Sequence, residues 1–220
     1  MLRSEAISII KRGLGFRTTQ DAAIIAALQE AQRILELGHT LPQWLLSYDA
    51  PILMFANNPS FTLPTGFIRM HDDYDLYYVN SDSARVFLPR RNYTEAYQAY
   101  VASGSENDTP ASVDSVYPQV WTQRGKTTGI LTPTPTVSFT GYLTYYKAAD
   151  KLTADIENAW LLNSPDTLIG MAGMTVAGQL RDNDAYQKFA QRANIAGKSL
   201  MGDIVEEELA GRALVMGRDN

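Results

Sequence analysis

Apolar positions recur every three or four residues at both ends of the chain and every second residue in the middle. Near the N-terminus, Ala6, Ile7 and Ile10 fall at helical spacing over residues 3 to 12, with Gly13 as a stop. Thr18 followed by Asp21 reads as a capping box for a second helix. On that helix Ile24, Ile25, Leu28, Ala31 and Leu35 make one stripe, and Gly38 ends it. His39 then reads as a cation at a helix C-terminus. The run LPQWLLSYD carries Trp44, Leu45 and Leu46 as an anchor into a core.

From about residue 50 the period becomes two. GFIRM, DLYYV and ARVFL are short strands separated by HDDY and NSDS, which is turn chemistry. YTEAYQAY suggests a short helix, and residues 103 to 115 form a polar loop. YPQVWTQRGKTTGILT reads as a hairpin turning at Arg124 to Lys126. A longer strand follows over residues 136 to 146. Val137, Phe139, Leu143 and Tyr145 point to one face, and Thr136, Ser138, Thr140, Tyr142, Thr144 and Tyr146 to the other. The second face is mostly hydroxyls and should meet water or a polar neighbour. Pro133 and Pro135 mark the strand's entry or a sheet edge.

Helical spacing returns after NSPD, with Ser164 as cap, Pro165 in the first turn and Asp166 at the positive end. Leu168, Ile169, Ala172, Val176 and Leu180 face inward; Gly170, Gly173 and Gly178 let another backbone come close. RDND breaks this helix. A last one starts near Asp184 with Phe189, Ala193, Ala196, Leu200 and Ile204 as its stripe. The tail from Leu209 has apolar residues without a clear period, which suits a segment that orders on a partner. The pattern predicts an α+β fold. The N- and C-terminal helices, residues 1–49 and 160–220, form one bundle, and residues 50–159 form an inserted antiparallel β domain.

Composition narrows the function. Of 220 residues, 45% are hydrophobic and 20% charged, so the chain is globular. It has no cysteine, which excludes disulfides and thiol chemistry. A net charge of −5 disfavours tight DNA binding. No apolar run is long enough to span a bilayer, so no membrane partner is expected and the chain should fold in a cytoplasm. His71, Asp72, Asp73 and Asp75 share one turn but lack the pattern of a calcium loop, so a solvated turn is the expected state and no metal or cofactor is assigned. Glu106 with Asp108, and Glu206 with Glu207 and Glu208, are carboxylate pairs of the kind a glycosidase uses, though a solvated cluster is the default. No serine-triad or phosphate-loop motif is present.

One order of landmarks remains. ISIIKRGLGFRTTQDAAIIAALQEAQRILE is followed by PQWLL, FTLPTGFIRM, YPQVW, GILTPTP, YLTYYKAADKLTAD and WLLNSPDTLIGMAGMTVAGQLRDND. This order resembles the head-to-tail adaptor, or connector, proteins of tailed and mainly short-tailed bacteriophages. The insertion at 103 to 115 and the glycines within 164 to 181 depart from the family pattern. The resemblance implies a structural virion protein, not an enzyme, at the head–tail interface. Its partners would be the portal protein, a downstream nozzle or tube protein, and other copies of itself in a ring of about twelve. DNA would pass through the lumen without sequence-specific binding. The portal contacts would come from the tail, at Leu209, Arg212, Leu214, Val215, Met216 and Arg218. The tail-partner contacts would come from β-domain loops, at Asp72, Asp73, Arg124 and Lys126. Two other readings stay open: a virion-associated cell-wall glycan hydrolase, and a generic capsid- or receptor-binding module.

Overall fold

The computed structural model describes residues 1–16, 21–38, 40–71, 75–92, 94–95 and 117–216, and side chains up to 206. The fold is α+β, with N- and C-terminal helices flanking antiparallel sheet. The chain divides into two units: Met1–Leu45 with Ala148–Asn220, and Leu46–Lys147. Thr18, His39, the YTEAYQAY stretch apart from residues 94–95, and the loop 103 to 115 lie outside the described residues.

In the helical unit, α1 spans Arg3–Gly13 and buries Ala6, Ile7 and Ile10. Gly13 belongs to α1, and the chain leaves it through Gly15 and Phe16, both at positive φ. Helix α2 spans Asp21–Glu36 and buries Ile24, Ala27, Leu28, Ala31 and Gln32, whereas Ile25 and Leu35 are half-buried. The inward stripe is therefore rotated toward Ala27 and Gln32. Gln32 is polar, but it is inside because it is fully engaged. Its Nε2 donates to Glu36 Oε1 (2.9 Å) and to the Ala149 carbonyl (3.0 Å), while its Oε1 accepts from Asn158 Nδ2 (3.3 Å). Glu36 Oε1 also accepts from the Ala149 backbone N–H (3.0 Å) and the Trp160 indole N–H (3.3 Å). A buried network with its donors placed costs little in desolvation and fixes the segments it joins.

The same logic decides where residues 148 to 158 belong. Although they follow the last strand, Arg3 and Gln29 donate to the Leu152 carbonyl, and Asp155 Oδ1 accepts from the Ser4 backbone N–H at 2.8 Å. That bond, and the nearby Arg3 charge, hold the Asp155 carboxyl below its ordinary range. Leu152 is buried. The unit boundary therefore falls at 147/148 rather than at 159/160, and its other end at 45/46 rather than 49/50.

Three helices follow: α3 at Ala159–Asn163, α4 at Pro165–Gln179 and α5 at Asn183–Met216. Asn158 caps α3, accepting from the Trp160 (2.8 Å) and Leu161 (3.4 Å) N–H groups. Trp160 meets Trp44 edge-to-face at 4.7 Å. Ser164 stands at the N-cap of α4 and Pro165 at its start, but the Ser164 hydroxyl pairs with the Thr167 hydroxyl (2.8 Å) rather than with a backbone N–H. Helix α4 is buried nearly all round and packs against α1, α2, α3 and α5. That is why its apolar residues show no preferred side. Leu180, expected inside, is the C-cap and is exposed.

The glycines of α4 admit α5. A Cβ on Gly170 would lie 2.7 Å from the Ala193 backbone N, and one on Gly173 would overlap the Phe189 ring. A Cβ on Gly13 of α1 would overlap the same ring. Phe189 thus sits in a slot whose walls are glycine. Helix α5 buries Ala185, Phe189 and Ile204 and runs about 50 Å at 1.5 Å per residue. Its backbone is helical to Met216, so most of the tail expected to lack regular structure continues the helix.

The sheet unit has strands β1 (Leu46–Met54), β2 (Ser60–Thr62), β3 (Phe67–Met70), β4 (Leu76–Val79), β5 (Arg85–Phe87), β6 (Val120–Arg124), β7 (Thr128–Thr132) and β8 (Phe139–Lys147). A five-stranded sheet has the order β1-β8-β4-β5, with β3 also paired to β8; a three-stranded sheet has the order β2-β7-β6. Phe61, Leu63, Trp121 and Leu131 join Ile52, Met54, Leu76, Leu143 and Tyr145 in one core. β8 is the spine, as it pairs with three strands. It starts at Phe139, not at 136, and Val137 is outside it and exposed. Gly141 takes the inward place between Phe139 and Leu143, against Met54.

Candidate docking surfaces

The outward face of the five-stranded sheet is built by the pleat. β1 turns Ile52 and Met54 into the core and therefore Pro51 and Leu53 outward; β4 likewise turns Tyr77 and Val79 outward. Register then lines up Phe87 of β5, Tyr77 of β4, Tyr142 of β8 and Pro51 of β1 in one row across four strands. Tyr77 and Tyr142 stack at 5.3 Å, Tyr77 and Phe87 sit 5.7 Å apart, and the Arg85 guanidinium lies 4.7 Å above the Tyr77 ring. Burial, reinforced by a hydrogen bond with Asp49, pushes the Tyr77 phenol above its ordinary range; on the core side, burial does the same to Tyr78. Leu53 (56% exposed), Val79 and Phe87 (50%) stay open to solvent on this face. On β8 itself this face keeps the expected hydroxyls Thr140, Tyr142 and Thr144, but beside them the sheet face is largely aromatic. Neighbouring strands supply the rings, and alternation within one strand cannot reveal what its neighbours bring.

Beside it, Pro51, Leu53, Phe55, Asn58, Ser60 and Pro64 help line an open groove of about 400 Å³ without a titratable side chain. A second groove, of about 510 Å³, lies in the helical unit where the start of α4 faces α5. There Arg192 Nε donates to Asp166 Oδ1 at 3.0 Å and Nη2 at 2.5 Å, so the acid expected only to favour the helix N-terminus also ties α4 to α5.

Of the expected tail-partner contacts, Arg124 and Lys126 are exposed at the β6–β7 turn, where Gly125 has φ +67. Asp72 and Asp73 lie outside the described residues. Their neighbours His71 and Asp75 face each other at 3.8 Å (Nδ1 to Oδ2), with His71 5.8 Å from the Tyr146 ring. The two turns are carried by different sheets. Of the expected portal contacts, Leu209, Arg212, Leu214, Val215 and Met216 sit on the helical backbone of α5, and Arg218 lies outside the described residues. Of the carboxylate pairs, Glu106 and Asp108 are outside them too, and Glu206 is exposed on α5. Among the described residues no cluster of histidine and acidic side chains is placed to hold a metal ion, and no helix is long and apolar enough to cross a membrane.

The sequence reading missed Leu53, Phe55, Val79 and Phe87 as surface residues. The period-two pattern could have flagged Val79 and Phe87, which alternate with Tyr78 and Val86. Leu53 was hidden because β1 contains Asp49 and Pro51 and does not read as a strand. No curated protein matches the chain at a significant level. The family profile described as SU10 adaptor protein matches residues 3–216, nearly the whole chain, and the protein therefore belongs to that family of bacteriophage structural adaptors.

Proposed function

We propose that the protein is a head-to-tail adaptor whose copies form a ring beneath the portal, extend the DNA channel and receive the next tail protein. The observation that carries this reading is the family match from residue 3 to residue 216, which takes in the helices and the inserted sheets together. Electrostatics supports it. At −5 per chain, a ring of about twelve copies carries about −60, and such a lumen repels DNA rather than holding it. The two units suit a division of labour. α5 continues as helix into the tail and offers a rod to the portal, with Leu209, Arg212, Leu214, Val215, Met216 and Arg218 as the contacts. The β domain offers Arg124, Lys126, Asp72 and Asp73 to the tail partner. In this division the helical unit, residues 1–45 and 148–220, is the wall and the sheet unit, residues 46–147, is the projecting domain.

The test is electron microscopy of the protein mixed with the purified portal of the same phage. A ring of adaptor density on the portal is the expected result. Removing residues 209–220 should abolish the complex, and full binding by the truncated chain would refute the tail's role. Capsid or host-surface binding without portal binding would favour the generic binding module instead. Clearing of purified peptidoglycan, lost on changing a single carboxylate, would favour the hydrolase.

A further inference from the structure

Within the helical unit α4 packs against both α2 and α5, and each of these two turns a stripe to solvent. On α2 the stripe is Ala26, Glu30 and Arg33, continued by Leu37 just past the helix end, at i, i+4, i+7 and i+11. It lies opposite the buried Ile24, Leu28 and Ala31. Leu37 is 64% exposed. On α5 the stripe is Ile195, Lys198, Gly202 and Val205, at i, i+3, i+7 and i+10, the spacing of a helix–helix seam. Ile195 is 63% exposed.

Gly202 distinguishes this second stripe. Gly170 and Gly173 are needed inside the unit, because a Cβ there meets another helix. A Cβ on Gly202 would meet nothing within 4 Å. A glycine within a helix lowers its stability, and at 202 no described neighbour compensates. It does leave room for a helix from outside. On the α2 stripe Glu30 and Arg33 pair with each other, Arg33 Nε donating to Glu30 Oε2 at 2.8 Å, and present an acid followed by a base; α5 presents the reverse order, Lys198 and then Asp203 next to Gly202, and Lys198 has no described ion-pair partner. The two stripes thus differ from each other and complement each other in shape and charge.

We propose that the exposed stripe of α2 in one copy packs against the Ile195–Lys198–Gly202–Val205 stripe of α5 in the next copy. This rests on the ring reading and names its lateral contact. Two different stripes make a heterologous interface, which gives a ring where the rotation closes, as on a portal that sets it, and not a two-fold dimer. Two helices touching over the length of α2, about 24 Å, cover far less than the roughly 800 Å² per partner of a stable complex. The copies therefore stay apart until the portal aligns them.

The chain has no cysteine, so introduced thiols report directly. The variants are Ala26→Cys, Val205→Cys, the double variant, and Ser81→Cys on an exposed turn of the other unit as control. Each full chain is assembled on the purified portal, imaged, and treated with a short bismaleimide. The double variant should give a ladder of linked copies. A mixture of the two single variants should give dimers. Each single variant alone, and the control, should give at least tenfold less product. In the cysteine-free chain, Gly202→Leu should lower adaptor occupancy on the portal at least tenfold, and its melting temperature should not fall. A ring seen by microscopy without a ladder would overturn this contact and leave the ring intact. Strong linking of Ala26→Cys or Val205→Cys to itself would overturn the heterologous arrangement. Absence of any ring would sink the ring reading and this contact with it.

Discussion

The helical unit and the sheet unit both seat a phenylalanine ring against glycine, but they differ in how many rings share the load. In the helices, close approach comes from what is missing: Gly13 and Gly173 leave a slot, and the single ring of Phe189 fills it. In the sheets Phe61 likewise enters the space that Gly129 leaves, but there ring also packs on ring. Phe61 also lies 5.7 Å from Trp121, while Tyr117 stacks on Tyr78 and both meet Phe139 edge-on. The sheet unit then repeats the device on its outside, along Phe87, Tyr77 and Tyr142. The helical stability therefore hangs on one key residue, and that of the sheets is shared among many rings. A slot tolerates no added carbon, whereas a field of rings can repack when one is lost.

The sharpest way to break this contrast is Phe189→Ala. It should destabilise the helical unit by about 4 kcal/mol, because three helices lose one filler. Phe61→Ala should cost less, nearer 3 kcal/mol, as neighbouring rings close part of the gap. Helical circular dichroism and tyrosine absorbance, followed separately during denaturation, distinguish the two units, since Trp44 and Trp160 belong to the helical unit whereas every tyrosine but Tyr186 falls within residues 46–147, and equal losses would refute the contrast. Gly173→Ala should cost about 2 kcal/mol by overpacking the slot, while Gly202→Ala should raise helical stability by about 0.5–1 kcal/mol in the free chain.

Titration probes the units in opposite pH windows. Tyr77 and Tyr78 have raised folded pKa values, so their contribution is complete below the ordinary phenol value near pH 10 and is lost as pH rises toward the folded values. Stability of the sheet signal should fall in that alkaline range, and Tyr77→Phe should flatten the fall. Asp155 has a lowered folded pKa, so its contribution is present above the ordinary carboxylate value near pH 4 and is lost as pH falls below it. Asp155→Asn should remove a small acid-dependent component from helical unfolding, the least of the expected effects.

Much of the helical unit was legible because burial imposes a period that survives in any context. Ala6, Ile7, Ile10, Ile24, Leu28 and Phe189 all lie inside, as their spacing requires. Gln32 was not legible: it is buried because Ala149 and Asn158, from a distant part of the chain, join Glu36 of its own helix around it. The candidate surfaces divide in the same way. The turn at Arg124 to Lys126 follows from local chemistry around Gly125. The aromatic row across β5, β4, β8 and β1 does not, since it exists only once register aligns four separated segments.

By itself, then, the amino-acid order determined the α+β class, the helical ends around a sheet-rich middle, the central role of β8 and the likeness to phage adaptors. Those are properties of local period and of landmark order. Tertiary structure decided which glycines are filled and which stand open, where residues 148 to 158 belong, and that Tyr77 of β4 and Phe87 of β5 line up beside Tyr142 of β8. These depend on side chains far apart in sequence meeting in space, and spacing along one segment carries no information about the partner it will meet.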